Sequence, residues 1–165
     1  MIFRKQKKEG GMGIKLRGNT LTFAVWTLVT CAVHVVLFRG EVNMDLPAVQ
    51  RIAMAVLAVV CILFVHEGIH YIFMKLFFRG KVRLVFVRDK LGIPTPGVQA
   101  EGHATKGQKI IVWLAPFWFL TVLPDVIFMF SPGIHLFFFI VAIGNCAGCF
   151  YDVMDVWMIM KKENA

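Results

Sequence analysis

From Ile52 to Phe78 the chain stays apolar for longer than one crossing of a bilayer requires, and its second half carries His66-Glu67-Gly68-Ile69-His70. A crossing takes about 20 apolar residues at a rise of roughly 1.5 Å each. With no water at that depth to satisfy backbone N–H and C=O groups, such a run is restricted to a helix that bonds its own backbone. Residues four apart on a helix lie about 40° apart around the axis. His66 and His70 therefore turn toward one point, and Glu67 stands next to them. Two imidazoles at this spacing suit one zinc ion, and the glutamate suits a general base acting on a water that the metal activates. A carboxylate and two imidazoles inside an apolar run cost free energy that only partners or a function offset.

Three further apolar runs follow the same logic: Leu21 to Phe38, Ile110 to Phe130, interrupted by Pro116 and Pro124, and Ile134 to Met160. With 58% hydrophobic residues the chain is too apolar for a soluble domain. The expectation is an all-α integral membrane protein of about four transmembrane helices. Residues 1–20 read as a basic cytoplasmic leader, and residues 21–165 as a single membrane-embedded domain. The stretch Arg79 to Lys109 holds seven basic residues against Asp89 and Glu101, the mark of a cytoplasmic loop. Residues 40–46 then fall outside, and a multi-pass protein of the cell membrane with both termini in the cytoplasm satisfies the loop charges. The formal charge of +8 is accounted for by topology and anionic lipid, so no nucleic-acid partner is expected. Within the basic loop, Arg83 to Val87 alternates as a strand does, Gly92 to Gly97 breaks the chain, and Val98 to Glu101 resumes it. A short cytoplasmic β-hairpin is expected between the second and third helices, either as an ordinary surface element or as an edge for an extended peptide.

The last apolar run holds Asn145-Cys146-Ala147-Gly148-Cys149-Phe150-Tyr151-Asp152. Asn145, Cys149 and Asp152 share one helical stripe, with Gly148 beside it to allow close approach of a neighbour. Counted from the cytoplasmic ends of antiparallel helices, Asp152 lies at a height similar to His66 and His70 and can complete a site of two histidines and one carboxylate. Asp155, one turn nearer the cytoplasm, is the weaker candidate. Cys149 is an alternative third ligand, while Cys146-x-x-Cys149 in an apolar helix reads as packing before it reads as a redox pair. His34, His103 and His135 read as structural, and Asp125 as interfacial.

The order of a His-Glu-x-x-His span, a basic hairpin loop, Leu114-Ala115-Pro116 opening the next span, and then Asn145, Gly148 and Asp152 resembles the putative zincin peptidase family of small bacterial membrane proteins. More distantly it resembles the site-2 intramembrane metalloproteases, from which it departs where Val153 follows Asp152. The resemblance covers roughly residues 52–160 and implies Zn2+ held by His66, His70 and Asp152, with Glu67 as catalytic base. By the logic of oxyanion stabilisation, Asn145 is expected to donate a hydrogen bond to the reaction intermediate. The activity implied is hydrolysis of a peptide bond, in a membrane protein or peptide substrate, at or within the lipid bilayer. The alternatives are a non-catalytic scaffold or metal-binding adaptor that keeps the helix packing, and a small ion transporter, which leaves the His-Glu-His spacing unexplained.

Overall fold

The computed structural model describes residues 16–38, 42–43, 45–88, 94–130 and 134–161. The basic leader expected over residues 1–20 lies outside them up to residue 15, as does the hairpin tip at residues 89–93. The chain is mostly helical, with four passages long and apolar enough to cross a membrane: Leu21–Phe38, Ala48–Phe77, Lys106–Phe130 and Leu136–Lys161.

The first passage belongs to α1 (Leu16–Phe38) and the second is α2 (Ala48–Phe77). At about 1.5 Å per residue α2 is longer than a roughly 30 Å hydrocarbon core, more than enough for one crossing. Along it only Ala58, His70 and Met74 are buried. The apolar side chains that point outward, among them Val56, Leu57, Val60, Phe64 and Ile72, present the face a lipid environment favours. One of the three positions α2 does bury is a histidine.

The third passage is composite. It starts at Lys106, earlier than the apolar run suggests, because Thr105 and Gln108 form a reciprocal capping box that starts the helix ahead of its hydrophobic part. The helix α3 (Lys106–Phe117) passes into a π-helical turn (Trp118–Val122) and then into α4 (Leu123–Phe130). The fourth passage is α5 (Leu136–Gly148) followed by α6 (Phe150–Lys161), with the backbone ladder carried across Cys149 by its bonds to Asn145 and Val153. Two-residue strands β1 (Val42–Asn43) and β4 (Ile134–His135) pair in parallel just before α2 and α5, an unexpected tie between the two loops.

Between α2 and α3 lies the antiparallel hairpin β2 (Val82–Arg88) and β3 (Pro94–Ala100). The expected chain break over Gly92 to Gly97 is shorter than the sequence suggests, since Pro94 to Gly97 are paired with β2. The register explains why prolines are tolerated. The Glu101 N–H bonds the Lys81 carbonyl, so bonded pairs recur at alternate positions, and Pro94 and Pro96 fall between them with their nitrogens turned away from β2. At the hairpin base Gly102 adopts φ +115°, and a Cβ on Gly80 would strike the Glu101 carbonyl, so both glycines are required for the closure.

Met74 and Phe78 of the α2 end, Val98 of β3, Val112 and Trp113 of α3 and Val156 of α6 form one apolar cluster that seats the hairpin on the helices. A smaller cluster of Phe38, Phe128 and Ala142 joins α1, α4 and α5. The close approach between helices falls at Gly144, where a Cβ would come within 2.7 Å of Ile62. A Cβ at Gly148 would meet nothing within 4 Å, so the close-packing role expected there belongs one turn earlier.

Candidate metal centre

His66 and His70 rise from α2, and Asp152 enters from the first turn of α6. Asp152 Oδ2 lies 3.2 Å from His66 Nε2, and Asp152 Oδ1 lies 3.5 Å from His70 Nε2. The two Nε2 atoms are 3.1 Å apart. His70 and Asp152 are buried, and His66 is nearly so. Among the described residues these three form the one group of ligand-type side chains gathered closely enough to hold a metal ion.

The hydrogen bonds behind the rings decide what the front faces offer. His70 Nδ1 is 2.9 Å from the Val112 carbonyl, which can only accept, so the ring hydrogen sits on Nδ1. His66 Nδ1 is 2.9 Å from Asn145 Oδ1. The amide of Asn145 is oriented unambiguously, because its Nδ2 donates to the Pro116 carbonyl at 2.9 Å and to Thr121 Oγ1 at 3.0 Å. Asn145 Oδ1 is therefore an acceptor, and His66 too carries its hydrogen on Nδ1. In the neutral rings both Nε2 atoms then present lone pairs, and they face each other and a carboxylate.

Three acceptors at 3.1 to 3.5 Å are mutually repulsive unless a cation lies among them. A single proton cannot bridge all three, and Asp152 Oδ2 is buried without a hydrogen-bond partner. A tetrahedral zinc ion with bonds of about 2.0–2.1 Å separates its ligand atoms by roughly 3.3 Å, so the residues present fit that ion. Each imidazole also donates its Nδ1 hydrogen to a fixed acceptor behind it, which holds the ring in place. Trp113 closes the rear of His70 with its ring edge-on at 5.2 Å.

Glu67 follows His66 on α2, is half-buried, and makes no hydrogen bond or ion pair among the described residues. Asn145 occupies a different place from the one expected. It is fully buried, and its donors are taken by Pro116, Thr121 and, at 3.5 Å, Cys149 Sγ. It is spent on holding His66, which leaves it no free hydrogen for an intermediate. Cys149, considered as a third ligand, is instead packed behind the site as an acceptor from Asn145. Asp155 is half-buried one turn away and outside the group of three, and His103 is exposed. Thr121 and the Val112 carbonyl escaped the sequence reading. Thr121 donates to the Ala142 carbonyl at 3.2 Å while accepting from Asn145, and a π turn that brings a threonine inward leaves no simple periodic signal.

Helical passages long and apolar enough to span a membrane, with a histidine pair and an aspartate gathered closely enough between them to hold a metal ion, define the class: a helical protein of four such passages with a candidate metal centre. The chain belongs to the family described as putative zincin peptidase, whose model matches residues 59–165 and so takes in every residue of the centre. No curated protein and no solved structure matches the chain.

Proposed function

We propose that this protein is a membrane-embedded zinc metallopeptidase that hydrolyses a peptide bond at or within the bilayer. The observation that carries the reading is the convergence of His66 Nε2, His70 Nε2 and the Asp152 carboxylate, with Glu67 uncommitted beside them. A zinc ion held by those three side chains would supply the Lewis acidity that makes water nucleophilic near neutral pH and polarises a scissile carbonyl. Glu67 takes the proton from the attacking water on its carboxylate and delivers it to the departing amide nitrogen. Asp152 balances positive charge at the centre, while Asn145 and the Val112 carbonyl hold the two imidazoles in the tautomer that keeps Nε2 free.

The substrate is an extended peptide segment, which a free strand edge can receive by main-chain hydrogen bonds. Of the two outer edges of the hairpin, that of β3 lacks N–H groups at Pro94 and Pro96, whereas that of β2 keeps them at Val82, Leu84 and Phe86. Leu84 and Phe86 are also exposed, at 59% and 70%. The basic residues of the hairpin support a cytoplasmic side for it and for both termini. Cysteine labelling from outside should then reach residues 40–46 and spare the hairpin, and the reverse pattern would invert the topology.

Glu67→Gln tests the chemistry. Glutamine keeps the size and can hydrogen-bond but cannot take the proton, so the variant should retain its zinc and lose about 10²- to 10⁴-fold in turnover. The comparison uses both proteins in liposomes with single-span peptides, cleavage being followed by mass spectrometry. Equal cleavage by both would remove Glu67 as the base.

A further inference from the structure

The Leu114-Ala115-Pro116 stretch places a proline inside α3, where it is the residue least favourable to a helix. In an α-helix the N–H of residue 116 would bond the carbonyl of residue 112. Proline has no N–H, and its ring crowds that same carbonyl. The carbonyl so released is Val112, and it is the one that accepts the His70 Nδ1 hydrogen at 2.9 Å. The neighbouring rung is intact, since the Trp118 N–H reaches the Leu114 carbonyl. The interruption of the ladder therefore falls where the histidine needs an acceptor.

We infer that Pro116 is a positioning residue for the metal centre: by withholding its N–H it dedicates the Val112 carbonyl to His70 and sets that ring's tautomer. This rests on reading His70 as a metal ligand. A buried carbonyl in a helix otherwise prefers its own helical donor, and an imidazole competing with that donor is free to turn over and present N–H at Nε2, where a metal needs a lone pair. Pro116 also offers its own carbonyl to Asn145 Nδ2, but that contact uses the oxygen, which any residue supplies. Substituting the side chain thus separates the two roles.

In Pro116→Ala the restored N–H competes for Val112, and zinc affinity should fall by about 10- to 100-fold, the usual consequence of losing the acceptor that holds a metal-binding imidazole. The metal-free variant should unfold at the same temperature as wild type or higher, because a helical bond has been returned and a helix breaker removed. Pro124→Ala, whose freed carbonyl serves no ligand, should leave zinc affinity unchanged. Nitrogen-15 NMR of the metal-free protein should find His70 protonated on Nδ1 in wild type and partly on Nε2 in Pro116→Ala. Unchanged zinc affinity in Pro116→Ala, or a fall in affinity together with a lower unfolding temperature, would overturn the inference. If wild-type protein bound no zinc, the metal reading would fail by itself, and the His70 tautomers would still decide for or against Pro116.

Discussion

Two histidine–aspartate contacts lie between the long apolar helices, and the number of imidazoles in each sets them apart. Near the hairpin end, Asp152 meets His66 at 3.2 Å and His70 at 3.5 Å. Toward the far end of α1, His34 Nε2 meets Asp125 Oδ2 at 3.2 Å, with His34 Nδ1 2.8 Å from the Thr30 carbonyl. Neither residue of that second pair was expected to meet the other from the sequence, where His34 reads as interfacial or packed and Asp125 as interfacial. Four buried side-chain polar atoms among the described residues lack a hydrogen-bond partner, and three of them belong to these two contacts: His34 Nε2, Asp125 Oδ1 and Asp152 Oδ2. In both places a backbone or amide acceptor holds the ring hydrogen at Nδ1, so Nε2 faces the carboxylate as a lone pair. The outer contact has two such acceptors, which one shared proton completes. The inner contact has three, which call for a divalent ion. The same pair chemistry thus joins two helices in one place and forms a group able to hold a metal ion in the other, and the second imidazole of the His-Glu-x-x-His helix makes the difference.

The strongest way to break this comparison is to remove ligands. Wild-type protein should hold about one zinc per chain, and His66→Ala, His70→Ala and Asp152→Ala should each abolish it, while His34→Ala and Asp125→Asn retain it. Metal analysis of the purified variants decides. Zinc lost from the His34 variant and kept by the Asp152 variant would reverse the two assignments. A smaller effect is expected at Asn145, whose replacement by alanine frees His66 to rotate and should weaken zinc by about 10- to 100-fold without touching a ligand. Competition with a chromophoric chelator measures it, and full-strength binding would mean that His66 is held by packing alone. The smallest effect belongs to the outer pair. His34→Ala leaves Asp125 without its partner and should cost about 1–3 kcal/mol of stability, read from unfolding of the metal-free protein, with zinc affinity unchanged.

The helix content, the number of passages and the histidine pair were all legible in the chain, because they rest on local periodicity and length. The hairpin was legible too, although Pro94 and Pro96 suggested a break where there is a strand. Whether a proline is tolerated depends on which way its nitrogen faces, and that is a property of register. Asn145 shows the same limit more sharply. Its stripe on the last passage was readable, but its partners lie 24, 29 and 79 residues away along the chain. Only their arrival together shows that its amide is fully committed, with Oδ1 to His66 and Nδ2 to Pro116 and Thr121.

By itself the sequence determined that this chain forms helices long and apolar enough to cross a membrane, that one of them turns two imidazoles to the same side, and that an acidic residue lies on the last passage within reach of them. Those features follow from hydrophobic length and from a helical repeat of 3.6 residues, which are set within each segment. The tertiary structure decided which lone pairs face one another, because that depends on what stands behind each ring. A freed carbonyl on α3 and a buried amide on α5 hold the hydrogens of His70 and His66, and His34 meets Asp125 without a second imidazole. At His66 and His70 hydrogen-bond direction is settled by partners 79 and 42 residues away in the chain, and no local pattern encodes it.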